Sequence, residues 1–539
     1  MKRDLSNVAW VAGLWASIIL LVWIVAAFAQ VPGQLPGQGP GPSQGPPPPF
    51  HIPHLGGPRQ ERPQSEASTE APVYVVLWFD VEDYILPQSD DAGKRLAVFL
   101  TQEGIPATFK VVGEEARVLK QRQRQDVVTA LAQHDIGYNT NTHSQHPTVA
   151  EYESNLGWDA GIDEFSRRER PGFDDVAHVF RKSPVAYGEP GNSWAPQVFP
   201  VLKKWGIVLN DASGRFVGLR GRPFWYGGVL NVGNTREGDL LRPDDNWSNL
   251  DSAKQRFQDA YVAMTARKSG GVISLHFCPC EFVNKEPWNV VNFANGANPP
   301  SDRWKQPGLK TPEESEKAFQ YFENLVRFLK SFQRVQFLSA TGAAARFRDR
   351  AQSHVFSPQE VRAIAGQVDS KVTFQAGDDF NLSASEVLYV INRFLVAMIE
   401  RQGTNALILD KTPYGPDSAT APLTANLVIP WSQVRRTVLD VQDDLDKTGR
   451  IPSAIWLGSR SIPPESYLVG IARAAQSLLQ NAEPPESITF APARLAAAEY
   501  VADDSPDLWD WAIFPHGFHA PDLMSLAKLQ AWTLKPAVK

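Results

Sequence analysis

Between residues 73 and 350, short runs rich in β-branched and aromatic residues alternate with longer stretches of helical periodicity. The first run, VYVVLWF, is apolar throughout, which is typical of a strand that is buried on both faces. The further strand candidates are ATFKVVG, DIGYN, PVAYG, GIVLND, GVISLHF and VQFLS. Strands that alternate with helices predict a parallel sheet with helical crossovers. Seven or so strands over this length predict a closed β/α barrel, with an open doubly wound sheet as the alternative.

Ionisable and polar residues follow these strands at their carboxyl ends, where a β/α barrel places its reactive groups. Any one of them can also be an ordinary turn former or helix cap. Their collection at the same ends of different strands nevertheless favours an active site. The residues are Asp80, Glu82 and Asp83 after the first strand, Asn139, His143 and His146 after DIGY, Glu189 after PVAYG, Asp211 in GIVLND and His276 in GVISLH.

The residue types in this set indicate hydrolytic chemistry. A carboxylate and two histidines suit a catalytic divalent metal such as zinc, which keeps one position open for water. A further carboxylate acts as a base and a histidine as an acid towards the leaving group. A glycoside hydrolase is an alternative, because Asp80 with Glu189 or Asp211 supplies two carboxylates.

Five segments, taken in order, resemble the motifs of polysaccharide deacetylase (NodB-homology) domains of the carbohydrate esterase class. They are FDVEDY, IPATFKVVGEEA, HDIGYNTNTH, PVAYGEPGNSWAP and GVISLH, and the resemblance covers residues 73–350. It implies a metal-dependent hydrolase that removes acetyl groups from a polysaccharide or cell-wall glycan. The implied roles are Asp80 as catalytic base, His276 as general acid, His143 as metal-binding histidine, and Glu82 or Asp83 as metal carboxylate.

Two positions depart from the motifs. Asn139 stands where the first metal-binding histidine belongs, and His146 is the candidate to replace it, since HSQHP keeps a His-Ser start and a His-Pro end. Gly188, beside Glu189, stands where the family has the arginine that holds the base. A catalytically inactive relative that binds glycan on the same barrel is therefore a second hypothesis.

Aromatic residues in loop-like segments are candidates for contact with sugar rings. Trp194 in NSW and Trp225 in RPFWYGG are predicted, with Glu189 and Asp211, to bind substrate. Packing at the barrel mouth explains such residues equally well.

The first residues of the chain have the pattern of an export signal. Lys2 and Arg3 precede an apolar run over residues 8–29 that ends in AAFAQ. This predicts that residues 1–29 are a cleaved signal peptide or an uncleaved membrane anchor, and that the protein is periplasmic or extracellular. The Pro/Gly-rich residues 30–72 are predicted to be a disordered linker.

Residues 356–539 are predicted to form a mainly α-helical domain with a weak internal repeat, or sequence echo. LSASEVLYVINRFL, from Leu382, matches IPPESYLVGIARAA, from Ile462, in the placement of apolar residues. The stretch TGRIPSAIWLGSRSIPPESYLVGIA resembles pseudomurein-binding repeats, which are small cell-wall-binding modules, and a helical packing domain is the alternative.

Composition and charge restrict the kinds of partner the protein can bind and the roles open to its cysteines. The net charge is −6 without a long basic run, which makes nucleic acid an unlikely partner. The two cysteines, Cys278 and Cys280, cannot form a disulfide framework. They leave a local metal or redox role open beside the plainer interpretation, two packed thiols.

Overall fold

The computed structural model describes residues 71–377, 379–401, 407–481 and 484–538. The predicted signal segment and nearly all of the predicted linker lie outside the described residues. Within those residues, no helix combines the length and the apolar character needed to cross a membrane.

The strands and helices run in the following chain order. The strands are β1 (Val73–Val81), β2 (Thr108–Val111), β3 (Asp135–Tyr138), β4 (Ala186–Gly188), β5 (Leu209–Asp211), β6 (Phe224–Tyr226), β7 (Val229–Asn231), β8 (Gly271–Phe277), β9 (Val335–Leu338), β10 (Val355–Phe356), β11 (Lys371–Val372), β12 (Gln375–Ala376), β13 (Asn381–Leu382), β14 (Leu407–Ile408), β15 (Leu427–Pro430), β16 (Ile455–Leu457), β17 (Arg460–Ile462), β18 (Ser487–Phe490), β19 (Arg494–Leu495) and β20 (Lys535–Pro536). The α-helices are α1 (Pro87–Gln102), α2 (Gly113–Gln121), α3 (Gln125–Leu131), α4 (Val149–Glu153), α5 (Trp158–Phe180), α6 (Val198–Lys204), α7 (Arg236–Leu241), α8 (Leu250–Thr265), α9 (Trp288–Phe293), α10 (Pro312–Lys330), α11 (Ala340–Arg346), α12 (Pro358–Gly366), α13 (Ala384–Ile399), α14 (Trp431–Thr448), α15 (Pro464–Asn481) and α16 (Pro521–Gln530).

The main sheet has the order β20-β6-β7-β5-β4-β3-β2-β1-β8, with β9 paired to the first half of β1. All pairs are parallel except those that β6 makes with β7 and β20. The sheet curls into an incomplete barrel with helices around it. This confirms the α/β fold class, a (β/α) barrel with a mainly helical C-terminal region.

Strand β1 shows how the alternation of side chains builds the barrel. Val75, Leu77 and Phe79 face the helices and join the large outer core. Tyr74, Val76 and Trp78 face the interior and pack in a separate inner cluster. Because both faces are covered, all nine residues of the strand are buried. The same alternation carries the inward-facing side chains up to the carboxyl end of the strand.

A second core, distinct from that of the barrel, forms mainly from residues 351–490. Residues 497–534 return to the core of the barrel, and β20 extends the edge of the main sheet beside β6. The domain limits inferred from the sequence stay a prediction.

The second core contains one unit twice, and the echo in the sequence corresponds to it. Each copy is strand, helix, β-hairpin, helix, strand, namely β10-α12-β12-β13-α13-β14 and β15-α14-β16-β17-α15-β18, with the two-residue strand β11 as an extra element after α12 in the first copy. The outer strands of each copy pair antiparallel, as do the strands of each hairpin. Helix α12 packs on α15 and α13 packs on α14, so the contacts between the copies are reciprocal.

Candidate active site

Because side chains alternate between the two faces of a strand, only every second residue of FDVEDY points towards the barrel mouth. Asp80 continues the inward-facing row of Trp78, while Val81 faces the outer core. Glu82, two residues after Asp80, lies just beyond the end of β1. Both Asp80 and Glu82 are buried, at 5% and 9% exposure.

Asp80 is held by two cationic partners. Nε2 of His276, on β8, lies 2.7 Å from Oδ2 of Asp80. Nζ of Lys110, on β2, lies 2.8 Å from Oδ1 of Asp80 and 2.5 Å from Oδ2 of Asp211, on β5. Four strands of one parallel sheet thus bring these side chains together at the carboxyl end, as the sequence predicted for Asp80, Asp211 and His276.

The charges of this group set the protonation of its members. Burial alone would raise the pKa of Asp80, but the positive charges of Lys110 and His276 outweigh it and hold that pKa below the ordinary range. Burial would lower the pKa of His276, but the Asp80 carboxylate raises it. The pKa of Lys110 also rises, because Asp211 and Asp80 outweigh the burial of its ammonium group. The pair Asp80–His276 therefore offers an anionic base beside an imidazole that favours its proton.

Glu82 forms a second group beside the first. Nε1 of Trp288 donates to Oε1 of Glu82 at 3.0 Å, and Nε2 of His143 lies 2.9 Å from Oε2. Nδ1 of His143 lies 2.6 Å from Oγ of Ser144. His143 has a φ of 57°, in the left-handed region that residues other than glycine seldom adopt. Both nitrogens of the ring are thereby oriented, and Nε2 faces the Glu82 carboxylate.

Asp83 does not join this group, because both of its oxygens serve the start of α1. Oδ1 accepts from the backbone N–H groups of Ile85 and Leu86, at 3.1 and 3.2 Å. Oδ2 accepts from Oγ of Ser89 at 2.8 Å and from Nδ2 of Asn284 at 2.9 Å. Of the two carboxylates that the sequence offered for a metal, the structure brings Glu82 to His143.

The ring of His146 contacts neither Glu82 nor His143 but other residues. Nδ1 is 2.7 Å from Oε2 of Glu151, and Nε2 is 3.1 Å from the backbone oxygen of Phe293. With both ring nitrogens engaged, His146 fixes the loop that carries His143.

Asn139, where the motif has a histidine, is fully buried at 0% exposure. Neither its Oδ1 nor its Nδ2 has a hydrogen-bond partner among the described residues. A buried amide without partners costs about 1–3 kcal/mol.

Cys278 lies between the two groups. Its Sγ forms one tight cluster with ligand atoms of Asp80 and His276, and another with Glu82 and Cys280, all atoms of each cluster within 4.8 Å of one another. Carboxylate, imidazole and thiolate are the ligand types of zinc. Glu82 and Cys278 therefore supply ligand types that fit a divalent metal, and His143 contacts Glu82, although no cluster among the described residues unites all three side chains.

Glu189 lies beside the Asp80–Lys110–Asp211 group. Its Oε1 accepts from the backbone N–H of Ser213 at 2.8 Å, whereas Oε2 has no partner among the described residues. Burial, with a smaller contribution from the Asp211 charge, raises the pKa of Glu189 to about 7. Glu189 can therefore exchange a proton near neutral pH.

The two predicted substrate-binding tryptophans are packed. Trp194 is 4% exposed and stacks on Phe216 at a ring distance of 5.0 Å. Trp225 lies on β6 opposite Lys535 of β20 and packs against the inner cluster. Neither position indicates a sugar-binding surface.

Two side chains at the site, Lys110 and Trp511, were not predicted from the sequence. Trp511 comes from the C-terminal region, and its ring stands edge-on to His143 at 5.6 Å. The signal for Lys110 was a lysine inside the apolar strand TFKVV. The sequence contains a weaker indication of Trp511, because no local pattern connects this residue with the loop of His143 some 370 residues earlier.

Comparisons with known proteins find relatives among solved structures. No family model matches the chain, and no curated protein matches it at a significant level. A structure described as a polysaccharide deacetylase from Mycobacterium smegmatis is similar at 14% identity and a TM-score of 0.35, over 52% of this chain and 91% of that one.

Two further structures are similar at lower TM-scores. A CE4 family pseudoenzyme from Bacillus anthracis is similar at 14% identity and a TM-score of 0.26, over 49% of this chain and 63% of that one. A family 4 acetyl xylan esterase from Clostridium thermocellum, in complex with a cobalt ion, has 14% identity and a TM-score of 0.26, over 50% and 88%. Likenesses of this size assign no activity.

Proposed function

We propose that this protein is an exported, metal-dependent hydrolase that removes acetyl groups from a polysaccharide or cell-wall glycan. The observation that carries the proposal is the pairing of Asp80 with His276 beside the pairing of Glu82 with His143 at one barrel mouth. One pair has the parts for acid–base catalysis, and the other has the parts for a metal site.

Glu82, His143 and Cys278 would hold the metal. A divalent ion bound there supplies polarisation of the acetyl carbonyl and a water of lowered pKa. Its binding requires a deprotonated Cys278, and burial together with the hydrogen bond to Cys280 raises the pKa of the free thiol. Metal binding at Cys278 therefore releases a proton.

The residues of the first pair move the protons. Asp80 accepts a proton as water adds to the acetyl carbon, and Nε2 of His276 donates one to the sugar nitrogen or oxygen. The bond between that atom and the acetyl carbon breaks, and acetate leaves the free amine or hydroxyl behind. Lys110 and Asp211 stay in place throughout, because each is buried and ion-paired.

Of the two carboxylate pairs of the glycosidase alternative, Asp80 with Asp211 is not favoured by this geometry. Two glycosidase carboxylates flank the scissile bond of the substrate. Here Asp80 and Asp211 are bridged by one ammonium group, that of Lys110, and are 5% and 6% exposed.

An inactive glycan-binding relative stays the second candidate. Asn139 carries an amide where the motif has an imidazole, and His146 is engaged elsewhere. Metal affinity then depends on Cys278. Whether Cys278 binds a metal therefore distinguishes an enzyme from a glycan-binding protein with the same barrel.

The test is acetate release from acetylated xylan, chitin oligosaccharides and acetylated peptidoglycan by the purified, zinc-loaded protein. We expect release from at least one of them, and a fall of about 10²- to 10⁴-fold in kcat for Asp80→Asn, the span of general acid–base catalysis. Asp302→Asn, at an exposed position in the short 3₁₀ helix of residues 301–303, is the matched control and should keep full activity. Absence of release from all three glycans, or an Asp80→Asn variant as active as the wild type, would refute the proposal.

A further inference from the structure

Lys110 crosses the interior of the barrel from β2 towards β5. The register places its Cα beside Asp80 on one side and Gly137 on the other. Its Nζ ends 2.8 Å from Oδ1 of Asp80 and 2.5 Å from Oδ2 of Asp211. Since Lys110 is only 2% exposed, its ammonium group has lost its water and depends on both carboxylates.

Glycines on the two intervening strands make this path possible. A Cβ at Gly188 of β4 would lie 2.5 Å from Nζ of Lys110 and 2.8 Å from its Cδ. A Cβ at Gly137 of β3 would lie 2.8 Å from its Cγ. Neither glycine adopts a left-handed φ, so the need at both positions is for space. Any side chain at either position would displace the ammonium group of Lys110 from the Asp80 and Asp211 carboxylates.

Gly188 is also the position at which the motifs predict an arginine that holds the base. The space that this missing side chain leaves is filled by the end of Lys110, which approaches the same carboxylate from another strand. We propose that Lys110 is the positioning residue of Asp80, fixing its Oδ1 so that Oδ2 faces His276. The inference rests on the proposed function, in which Asp80 is the base.

The proposal predicts that a cation from β4 can replace the cation from β2. Lys110→Ala removes the ammonium group and opens the space beside Gly188. We expect kcat to fall by about 100-fold with KM little changed, as for a misplaced catalytic group. In that background Gly188→Arg should recover at least about tenfold in kcat, because an arginine at position 188 enters the vacated space beside Asp80.

The matched controls separate charge from packing. Gly188→Ala in the Lys110→Ala background adds bulk without charge, and it should give no recovery. Gly188→Arg with Lys110 present should lower the melting temperature, since a Cβ there meets Nζ at 2.5 Å. Arginine at position 188 should therefore lower the melting temperature when Lys110 is present, and raise both the melting temperature and kcat when Lys110 is replaced by alanine.

Two readouts keep the inference distinct from the proposed function. If the wild type releases no acetate, the proposed function fails, and melting temperatures with crystal structures of the variants judge the inference. Lys110→Ala/Gly188→Arg should then melt above Lys110→Ala/Gly188→Ala, with the guanidinium against Asp80. An arginine variant no better than the alanine variant in kcat or melting temperature, or a Lys110→Ala variant as active as the wild type, would overturn it.

Discussion

Glu189 is the residue at this site whose proton is most readily exchanged. It is 8% exposed, one oxygen accepts a backbone N–H, and the other has no partner among the described residues. Burial raises its pKa from the ordinary 4.5 to about 7. A carboxyl with these properties stabilises the fold when it is protonated and opposes it when it is charged.

This makes a prediction about pH and stability. The folded protein binds the Glu189 proton more tightly than the unfolded chain, so the free energy of unfolding falls as pH rises from about 4.5 to about 7. Glu189→Gln mimics the protonated side chain and should remove this loss. The advantage of the variant over the wild type should grow across that interval by up to roughly 3 kcal/mol and stay constant above it.

Urea unfolding of both proteins at a series of pH values measures this difference. Every other titrating group cancels in the comparison. A difference that stays constant from acid to neutral pH would show that Glu189 has an ordinary pKa.

The acids and histidines at the strand ends could be predicted from the sequence because strand alternation is a local property. Asp80 and His276 stand at the ends of their strands, and their position alone places them at the mouth. The sequence could not show which of Glu82 and Asp83 approaches His143, because the hydrogen bonds of Asp83 to the chain before α1 depend on where the chain turns. The engagement of His146 by Glu151 and Phe293 likewise depends on a loop conformation that no periodicity encodes.

At the scale of elements, the segment of residues 504–519 joins the C-terminal region to loops of the barrel mouth. Nδ2 of Asn192, after β4, donates to Oδ1 of Asp510 at 2.6 Å. Trp511 lies against Gly191, whose φ is 54° and whose missing side chain leaves room for the indole ring. The segment therefore sets one wall of the candidate site.

The contact between Gly191 and Trp511 can be tested by a double-mutant cycle. A Cβ at Gly191 would lie 2.3 Å from two atoms of the Trp511 ring, and the positive φ adds backbone strain. We expect Gly191→Ala to destabilise the protein, and Trp511→Ala to relieve the part of that cost due to the clash. The coupling energy should be about 1–2 kcal/mol, within the range found for residues in contact.

Unfolding of the wild type, both single variants and the double variant by urea gives this coupling. Trp456→Ala, at an exposed position on β16, is the control partner and should show simple additivity with Gly191→Ala. Additive effects of Gly191→Ala and Trp511→Ala would mean that the two residues do not touch.

Elements of the barrel were predictable from sequence because each strand and helix carries its own period. The segment of residues 504–519 was not, since its structure comes from loops elsewhere in the chain. Asn295 and Gly296, for example, donate backbone hydrogen bonds to Ala512 and Ile513. Contacts of this kind have no signature in the local sequence.

At the scale of the whole molecule, the C-terminal region contributes to the barrel as well as forming a core of its own. The duplicated unit of residues 355–490 encloses the second core, while residues after it return to the barrel. Tyr226 of β6 donates through its hydroxyl to the backbone oxygen of Ala527, and β20 pairs with β6. The edge of the sheet is thus extended by residues some 300 positions downstream of β6.

The sequence predicted the two regions and the echo within the second, because composition and apolar placement change near residue 356. It did not predict the return of the chain to the barrel. β20 has two residues, too few to show a strand period. A strand of that length is stabilised by its neighbour, which only the fold identifies.

The central claim, a metal site at the barrel mouth that serves hydrolysis, is tested most directly by titrating zinc into the purified metal-free protein in a calorimeter. We expect one ion per chain at micromolar affinity or tighter, no binding by His143→Ala, and much weaker binding by Cys278→Ser. His178→Gln, at an exposed position on α5, is the matched control and should bind as the wild type does. A wild type that binds no zinc, or a His143→Ala variant that binds as tightly as the wild type, would contradict the account.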